Sequence, residues 1–277
     1  MDHRTFLVTG ANTGIGRETA LALAGRGARV FVAGRSEQKT RPVIDEIVTR
    51  AGPSAVEFLR LDLGNLKSVR ACVDEFLRAE QPLHGLINNA GLAGQRGMTE
   101  SGFELAFGTN YVGPFLLTAL LLDRLQESAP ARVINVASIG HYRASGIEYE
   151  AIRRRTKSIT GFQEYCVSKL GNVLHAQELA RRLDGTGVTT YSLHPGSVAS
   201  DVWRRVPWPV RPLMTRKMLS PAEGARTSLY CATSRDVAGD SGHYYDNCRR
   251  QEPSAVATAE LAAELWDRSI DWVGVPR

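Results

Sequence analysis

Features that mark secreted, metal-binding and disulfide-rich proteins are scarce in this sequence. The chain has 277 residues and four cysteines, with no Cys-x-x-Cys pair and no set of histidines beside them. Zinc sites and disulfide frameworks need such spacings, so we predict no metal site and four separate, reduced thiols. Reduced thiols are typical of a cytoplasmic protein.

Long hydrophobic runs are missing as well. The most apolar stretch extends from Phe115 to Leu122 and stops at Asp123. Because a membrane-spanning helix needs about 20 apolar residues, we predict no membrane span and interpret this stretch as a core or subunit-contact helix. The polar start, Met1 to Arg4, does not resemble an export signal, which again favours the cytoplasm.

The sequence also lacks a strong charge of either sign. Its 34 Lys and Arg residues against 29 Asp and Glu leave a net charge of +5, spread along the chain. Such a mild surplus gives no reason to expect a nucleic-acid partner. A hydrophobic content of 43% suffices for a sizeable core, and no linker or repeat divides residues 1–277. We therefore predict a single domain.

A glycine-rich loop follows the first apolar run. Thr5 to Thr9 has the length and composition of a strand, Gly10 to Gly16 contains three glycines, and a helical pattern extends from Arg17 to Arg26. A strand, a glycine turn and a helix in this order present backbone N–H groups and a positive helix end to an anion. The pattern predicts a dinucleotide site, although its Gly-x-x-x-Gly-x-Gly spacing departs from the commoner fingerprint. A plain strand-to-helix turn is the alternative.

The end of the second predicted strand carries information about the cofactor. Arg29 to Ala33 is followed by Gly34 and Arg35, about 20 residues beyond the glycine loop. An acidic residue at that distance would bind the ribose of NAD, whereas an arginine favours the additional phosphate of NADP. We therefore favour NADP, with Arg17 as a second phosphate candidate and an unliganded surface arginine as the alternative.

Short β-like runs alternate with helical patterns through the rest of the chain. Further strands are predicted at Glu57 to Asp62, Gly85 to Asn88, Arg132 to Ser138, Val188 to His194 and Gly242 to Tyr245. This alternation predicts an α/β fold of the Rossmann type, a doubly wound parallel sheet with helices on both faces. Ser220 to Glu223 has the pattern of a capped helix start, and Pro253 is predicted to open a final helix through Trp266.

Tyr165 and Lys169 are four residues apart, so on a helix they share one face. An ammonium about 4 Å from the phenol, at an effective dielectric near 20, is worth up to about 4 kcal/mol and would lower the phenol pKa by roughly 3. The pair is therefore a candidate for proton transfer. An ordinary amphipathic helix is the alternative reading of the pair taken alone.

Taken together, the motifs resemble those of the short-chain dehydrogenases/reductases, and most closely the retinol dehydrogenase group and its bacterial relatives. The resemblance covers nearly the whole chain. It rests on Thr9-Gly10-x-x-x-Gly14-x-Gly16, Asn88-Asn89-Ala90-Gly91, Asn110, Ser138, Tyr165-x-x-x-Lys169 and Pro195-Gly196, in the family's order.

The resemblance implies a role for each matched residue. Tyr165 would exchange a proton with the substrate oxygen, Ser138 would hydrogen-bond that oxygen, Lys169 would lower the phenol pKa and bind the nicotinamide ribose, and Asn110 would hold a water through its backbone. The implied cofactor-binding residues are Gly10, Asn12, Thr13, Gly14, Ile15, Gly16, Arg17, Arg35, Asp62, Leu63, Asn88, Ala90, Gly91, Tyr165, Lys169, Pro195, Gly196, Val198 and Ser200.

Several of these residues also have ordinary structural interpretations. Asn88 could simply end its strand, Asp62 could cap the following helix, and Asn110 could be a polar residue that interrupts a helix. The histidines His141, His175 and His194 have no partner ligands at useful spacing, so structural roles are expected for them.

The segment between Ser138 and Tyr165 is long for the family, with the two residues 27 positions apart. We interpret residues of about 140–162 as an inserted substrate-side segment that could form a flap. Its basic cluster, Arg153 to Lys157, could recognise an acidic group or be a solvated loop. A second candidate lid covers about 199–219, where Trp203 and Trp208 suggest an apolar pocket or a subunit contact.

The sequence therefore predicts an oxidoreductase that uses NADPH to reduce a hydrophobic aldehyde or ketone reversibly. A non-catalytic NADP-binding sensor of the same fold, or a reductase of carbon–carbon double bonds, is the alternative. The expected partners are a small apolar carbonyl or alcohol substrate and further copies of the chain, in a homodimer or homotetramer.

Overall fold

The computed structural model describes residues 4–198 and 218–276, which build one central sheet between two helical layers. The strand order is β3-β2-β1-β4-β5-β6-β7-β8, and every neighbouring pair is parallel except β7 with β8. The strands are β1 (Thr5–Thr9), β2 (Arg29–Gly34), β3 (Val56–Arg60), β4 (Gly85–Asn88), β5 (Ala131–Val136), β6 (Val188–His194), β7 (His243–Asp246) and β8 (Arg249–Gln251). The predicted fold class is confirmed.

Helices follow the strands in alternation, as expected for crossover connections. They are α1 (Gly14–Ala24), α2 (Glu37–Ala51), α3 (Leu66–Arg78), α4 (Leu105–Phe107), α5 (Gly113–Leu120), α6 (Leu122–Glu127), α7 (Phe162–Arg182), α8 (Pro221–Thr233) and α9 (Ala259–Val273). A π-helical turn, Gly108–Val112, joins α4 to α5, and a 3₁₀ turn, Ile139–Arg143, follows β5.

The strand side chains alternate between the two layers. Along β1, Phe6 and Val8 belong to a core with α1, α2 and α8, whereas Leu7 belongs to a second core with α3, α5, α7 and α9. All three side chains are fully buried. Because helices cover both faces of this strand, neither face is polar, and its sequence is a nearly continuous apolar run.

Two helix starts show how well capping can be predicted. The predicted start at Ser220 is confirmed, since its side chain accepts from the Glu223 N–H and the Glu223 carboxylate accepts from the Ser220 N–H. The predicted start of the last helix at Pro253 is wrong. That helix begins at Ala259, because the Thr258 hydroxyl oxygen accepts the Leu261 N–H at 3.2 Å and provides the cap.

The apolar helix α5 lies inside the chain's own core. Phe115, Leu116 and Leu117 are fully buried, and the Trp266 ring of α9 lies 4.9 Å from the Phe115 ring, edge to face. Helix α9 also packs along α7. The stretch that we interpreted as a core or subunit-contact helix is therefore part of the core and packs against α9. The homo-oligomer stays a prediction.

Across residues 4–198 and 218–276, every helix is too short or too polar to cross a bilayer.

Gly113 allows α5 to approach the loop after β3, which gives a test of the packing. A Cβ atom at this position would lie 2.2 Å from the Leu63 carbonyl oxygen, although the backbone is helical. We expect Gly113→Ala to lower the free energy of unfolding by about 2 kcal/mol or more, measured by urea denaturation. Gly239→Ala is the control, since nothing lies within 4 Å of its added Cβ. Equal stability of the two variants would contradict this packing.

Candidate active site

The carboxyl ends of β1, β4, β5 and β6 meet at one edge of the sheet. The chain order reverses between β1 and β4, since β2 and β3 extend to one side and β5 to β7 to the other. In doubly wound sheets, ligands bind in the crevice that such a reversal opens. The predicted site residues lie around this crevice.

The glycine loop between β1 and α1 needs glycine for two different reasons. Gly10 and Gly14 have φ values of +68° and +57°, which side chains rarely adopt. A Cβ at Gly10 would lie 2.9 Å from the Ala90 Cα, and one at Gly16 would lie 2.4 Å from the Asn89 amide nitrogen. The loop is thus pressed against the end of β4, as the spacing of its glycines requires.

The amino end of α1 has the character of an anion site. Thr13 takes the cap position in an extended conformation, yet its side chain makes no capping hydrogen bond, and the first turn has no acidic residue. The first N–H groups of a helix lack intrahelical partners and attract negative charge. Residues 10–16 therefore fit the pyrophosphate of a dinucleotide. The guanidinium of Arg17, the next residue, already pairs with the carboxylates of Glu18 and Glu46.

The Asn-Asn-Ala-Gly segment at the end of β4 contacts the core through its first residue and the glycine loop through the next two. The Asn88 side chain is buried and donates to Asn135 Oδ1 at 2.9 Å and to Thr118 Oγ1 at 3.0 Å, so it faces the core. The Asn89 amide, which the sequence did not single out, donates to the Thr9 carbonyl at 2.8 Å. Asn89 and Ala90 also donate their N–H groups to Thr9 Oγ1. Asn89 thereby holds the end of β4 against the glycine loop.

Two arginines lie beside each other at the ends of β2 and β3. Arg35 is exposed, and its carbonyl accepts from the Arg60 guanidinium at 3.2 Å. Among the described residues, no hydrogen bond or ion pair engages the Arg35 guanidinium. Arg60 was not predicted as a site residue, because only the register, which places it opposite Gly34, brings it next to Arg35.

The two residues after Leu61 are arranged by a local turn. The Asp62 carboxylate accepts the Gly64 N–H at 2.9 Å, while Asn65 caps α3. The helix-cap alternative for Asp62 is therefore wrong, and its carboxylate stays half-buried near the crevice. Leu63 is buried against α5.

Residues 195–198 close the other side of the crevice. Val198 pairs with Leu219, and the Leu219 N–H donates to the Ser197 carbonyl at 2.9 Å. A Cβ at Gly224, in α8, would lie 2.5 Å from Val198 and 3.1 Å from Ile15 of the glycine loop. Val198 thus lies close to the glycine loop at the carboxyl edge of the sheet, and Pro195 and Gly196 join it to β6. Ser200 and positions 199–217 of the candidate lid lie outside the described residues.

Ser138 and Tyr165 meet across Gly140. A Cβ at Gly140 would lie 3.3 Å from the Tyr165 ring and 3.4 Å from Ser138 Oγ. Ser138 Oγ accepts the Gly140 N–H at 3.1 Å, which leaves its own O–H free to donate. A side chain at this position would crowd both the phenol ring and the Ser138 hydroxyl.

Lys169 and Asn110 complete the group. Lys169 is buried, its Nζ donates to the Val136 carbonyl at 2.7 Å, and Nζ lies 5.7 Å from the Tyr165 ring centre. A Cβ at Gly91 would lie 3.3 Å from Asn110 Oδ1 and 3.4 Å from Lys169 Nζ. The structure therefore brings all four predicted catalytic residues to the carboxyl edge of β5.

The Asn110 side chain has a positioning role of its own. Its Oδ1 accepts the Leu92 N–H at 2.9 Å, and its Nδ2 donates to the Leu92 carbonyl and to Ser168 Oγ, each at 2.9 Å. It thus joins the loop after β4 to α7. Asn110 lies in the π-helical turn, where the widened backbone departs from α-helical hydrogen bonding.

The charges of the pair differ from the sequence-based expectation. Burial raises the pKa of Tyr165, and the neighbouring Ser138 hydroxyl acts in the opposite direction. Burial also lowers the pKa of Lys169 to about 8. Burial thus acts on the Tyr165 pKa in the direction opposite to the lowering that we expected from Lys169, whose ammonium is engaged with the Val136 carbonyl. The phenol is therefore protonated at neutral pH and can act as an acid.

The inserted segment is tied to the body of the protein near its middle. The buried Glu104 carboxylate accepts the Phe107 N–H at 2.8 Å and hydrogen-bonds the Thr156 hydroxyl. Arg153 lies over the Phe103 ring, 3.9 Å from its centre. Within the basic cluster, Arg153 and Thr156 therefore hold the segment in place, while Arg154, Arg155 and Lys157 are exposed.

Lys169 gives a test of the buried charge. A pKa lowered from 10.5 to about 8 means that the charged amine costs the fold about 3 kcal/mol near pH 7. We expect Lys169→Met to raise the free energy of unfolding by about 1–3 kcal/mol at pH 7, because Asn172 Nδ2 still donates to the Val136 carbonyl.

The pH dependence of the stability difference between the wild type and Lys169→Met shows whether the buried charge causes it. Between pH 8 and 10.5 the unfolded chain still binds the proton that the folded chain has released, so the wild type gains stability as pH rises and the difference shrinks. Urea denaturation at pH 7 and 9.5 measures it, with the exposed Lys67→Met as the control. A Lys169→Met protein that is the less stable one at both pH values would contradict the argument.

Comparison with known proteins agrees with this geometry. The short chain dehydrogenase family model matches residues 4–151. Human retinol dehydrogenase 11 is 45% identical over 99% of this chain and 86% of its own length, and human retinol dehydrogenase 12 is 43% identical over 98% and 87%. A solved structure of an uncharacterized Mycobacterium paratuberculosis protein is 31% identical, with a TM-score of 0.80 over 99% of this chain and 94% of that one. The chain therefore belongs to the short-chain dehydrogenase family, whose members are oxidoreductases that bind a nicotinamide dinucleotide.

Proposed function

We propose that this protein reduces a hydrophobic aldehyde or ketone to its alcohol with NADPH, in a reversible reaction. The observation that carries the proposal is the placement of the Tyr165 phenol ring beside the Ser138 hydroxyl, with Lys169 and Asn110 next to them. A tyrosine phenol is protonated at neutral pH, so at this position it can donate its proton to a carbonyl oxygen that gains charge. The full set of Asn110, Ser138, Tyr165 and Lys169 also favours an enzyme over a nucleotide sensor, which would not need it.

The side chains divide the work on the substrate oxygen. The Gly140 N–H holds Ser138 Oγ, so the Ser138 O–H is directed to donate to the substrate oxygen as negative charge develops. Tyr165 then gives its phenolic proton to that oxygen. Lys169, held by the Val136 carbonyl, stabilises the phenolate that is left. A bound nicotinamide dinucleotide supplies or accepts the hydride.

An apolar substrate is favoured by the rim of the site. Ile139, next to Ser138, is 55% exposed, and Phe162, whose ring stacks on that of Tyr165 at 6.1 Å, is 41% exposed. Large apolar side chains left open beside catalytic groups are typical of a binding surface for apolar ligands. The relatives named retinol dehydrogenases are consistent with such a substrate.

NADP is favoured over NAD by the paired arginines. Arg35 and Arg60 place two guanidinium groups at the ends of β2 and β3, where the ribose of a bound dinucleotide would lie. Arginine forks suit a phosphate in geometry and charge. We assign the additional phosphate of NADP to Arg35 first and to Arg60 second, since Arg17 already pairs with Glu18 and Glu46.

The proposed reaction is tested with purified protein, NADPH and a panel of apolar aldehydes, ketones and conjugated enones, by following loss of reduced-cofactor absorbance and identifying products. We expect turnover of carbonyls. Tyr165→Phe should lose about 100-fold or more in kcat and keep its NADPH affinity, because only the proton donor is removed. Tyr230→Phe, on α8, is the matched control.

Other outcomes of this assay separate the alternatives. Bound NADPH without turnover of any substrate would support the sensor. Saturated carbonyl products from enones, with untouched aldehydes and ketones, would support the double-bond reductase.

Cofactor choice is tested by titrating NADPH and NADH against variants of the phosphate side. We expect Arg35→Ala to weaken NADPH binding by about 10-fold to 100-fold and to leave NADH binding nearly unchanged, since a charged hydrogen bond contributes about 1.5–3 kcal/mol. Arg60→Ala should have a smaller effect of the same kind. Arg41→Ala, on α2 and paired with Glu37, is the control. An unchanged preference in both variants would reject the assignment to NADP phosphate.

A further inference from the structure

The peptide of Ser138 is held by a histidine three residues further along the chain. The Ser138 carbonyl accepts two hydrogen bonds from His141, one from its backbone N–H at 3.1 Å and one from its ring Nδ1 at 2.7 Å. His141 is fully buried. The turn that presents the Ser138 hydroxyl therefore closes through a side chain as well as through the backbone.

The second ring nitrogen of His141 bonds to a distant part of the chain. Nε2 accepts the Ser254 N–H at 3.1 Å. Since a backbone N–H can only donate, Nε2 must carry a lone pair, and the ring proton must lie on Nδ1. The neighbouring partner agrees, because a carbonyl oxygen can only accept and so requires the proton on Nδ1. The two contacts thus define one neutral tautomer of His141.

The surroundings of the ring favour that neutral form. The His141 ring packs against the rings of Tyr142, with ring centres 3.9 Å apart, and Tyr244, at 4.6 Å. Burial lowers the pKa of His141, the hydrogen bond to the Ser138 carbonyl raises it, and the nearby His194 lowers it further. The net lowering agrees with the neutral ring that the two hydrogen bonds define.

The same C-terminal segment supports both halves of the site. Tyr142 donates its hydroxyl to the Glu252 carbonyl at 2.5 Å, and Ser254 donates to His141, so residues 252–254 hold the turn after β5. The chain then enters α9, which packs on α7, the helix that carries Tyr165 and Lys169. The turn that carries Ser138 and the helix that carries Tyr165 are thus both supported by the C-terminal part of the chain, through residues 252–254 and α9.

We propose that His141, as the neutral Nδ1–H tautomer, is a positioning residue that aligns Ser138 with Tyr165 by joining the serine turn to residues 252–254. The inference rests on the proposed function, because alignment matters for catalysis only if Ser138 contacts the substrate oxygen. Without the imidazole, one of the two bonds to the Ser138 carbonyl and the link to Ser254 are lost. A small displacement of an oxyanion donor is enough to reduce turnover.

The kinetic test compares two substitutions of His141. We expect His141→Ala to lower kcat by about 10-fold to 100-fold, with KM for NADPH unchanged, because the cofactor residues are elsewhere. His141→Asn should recover a large part of kcat, since its amide can donate to the Ser138 carbonyl. His84→Asn is the control for loss of a purely structural histidine, because His84 Nδ1 accepts the Thr5 N–H at the opposite end of the sheet.

A wild-type kcat in His141→Ala would overturn the proposal. Equal losses in His141→Ala and His141→Asn would also overturn it, since they would show that the Nδ1 donor is irrelevant.

A spectroscopic readout keeps this test separate from the proposed function. In protein with ¹⁵N-labelled histidine, the resonance that disappears in His141→Asn should show, at pH 7, a protonated Nδ1 and an unprotonated Nε2. A proton on Nε2, or a charged ring, would overturn the proposal whatever the substrate. If the tautomer is as expected and the wild type reduces no carbonyl, the proposed function fails while the alignment of the Ser138 turn by His141 stands.

Discussion

The site depends on a buried ammonium. Lys169 lies in the interior at the carboxyl end of β5, where its proton is held by one backbone carbonyl, that of Val136. Burying a charge is costly unless it is hydrogen-bonded, so the surrounding chain must supply fixed acceptors and exclude alternatives. The end of β5 supplies that acceptor, and the loop at Gly91 and the Asn110 side chain lie close to the ammonium. The catalytic group is thus a place where stability is given up for function.

Much of this arrangement could be predicted from the sequence, because it depends on local backbone geometry. Gly10 and Gly16 are needed by a loop pressed against the end of β4, and a spacing of four residues places Tyr165 and Lys169 on one helix face. Local rules of this kind apply wherever the chain folds. The parallel sheet followed from the alternation of strands and helices for the same reason.

What escaped prediction depends on contacts between distant segments. Arg60 reaches Arg35 only through strand register, and Asn89 meets the glycine loop only when β1 and β4 are neighbours. The sign of the Tyr165 pKa change was also missed, since charge spacing can be read from a helix but burial cannot. The packing of α5 against α9 likewise depends on distant segments, because nothing in the α5 stretch reveals that Trp266 packs on it.

The short strand β8 has a consequence for how copies of this chain can meet. It pairs antiparallel to β7 at the end of the sheet, and its residues Arg249 to Gln251 are all exposed. A second copy that paired its own β8 antiparallel to this one, in full register, would bring Arg250 opposite Arg250, and like charges facing each other across strands repel. Short edge strands with exposed charged residues disfavour the edge-to-edge pairing of sheets.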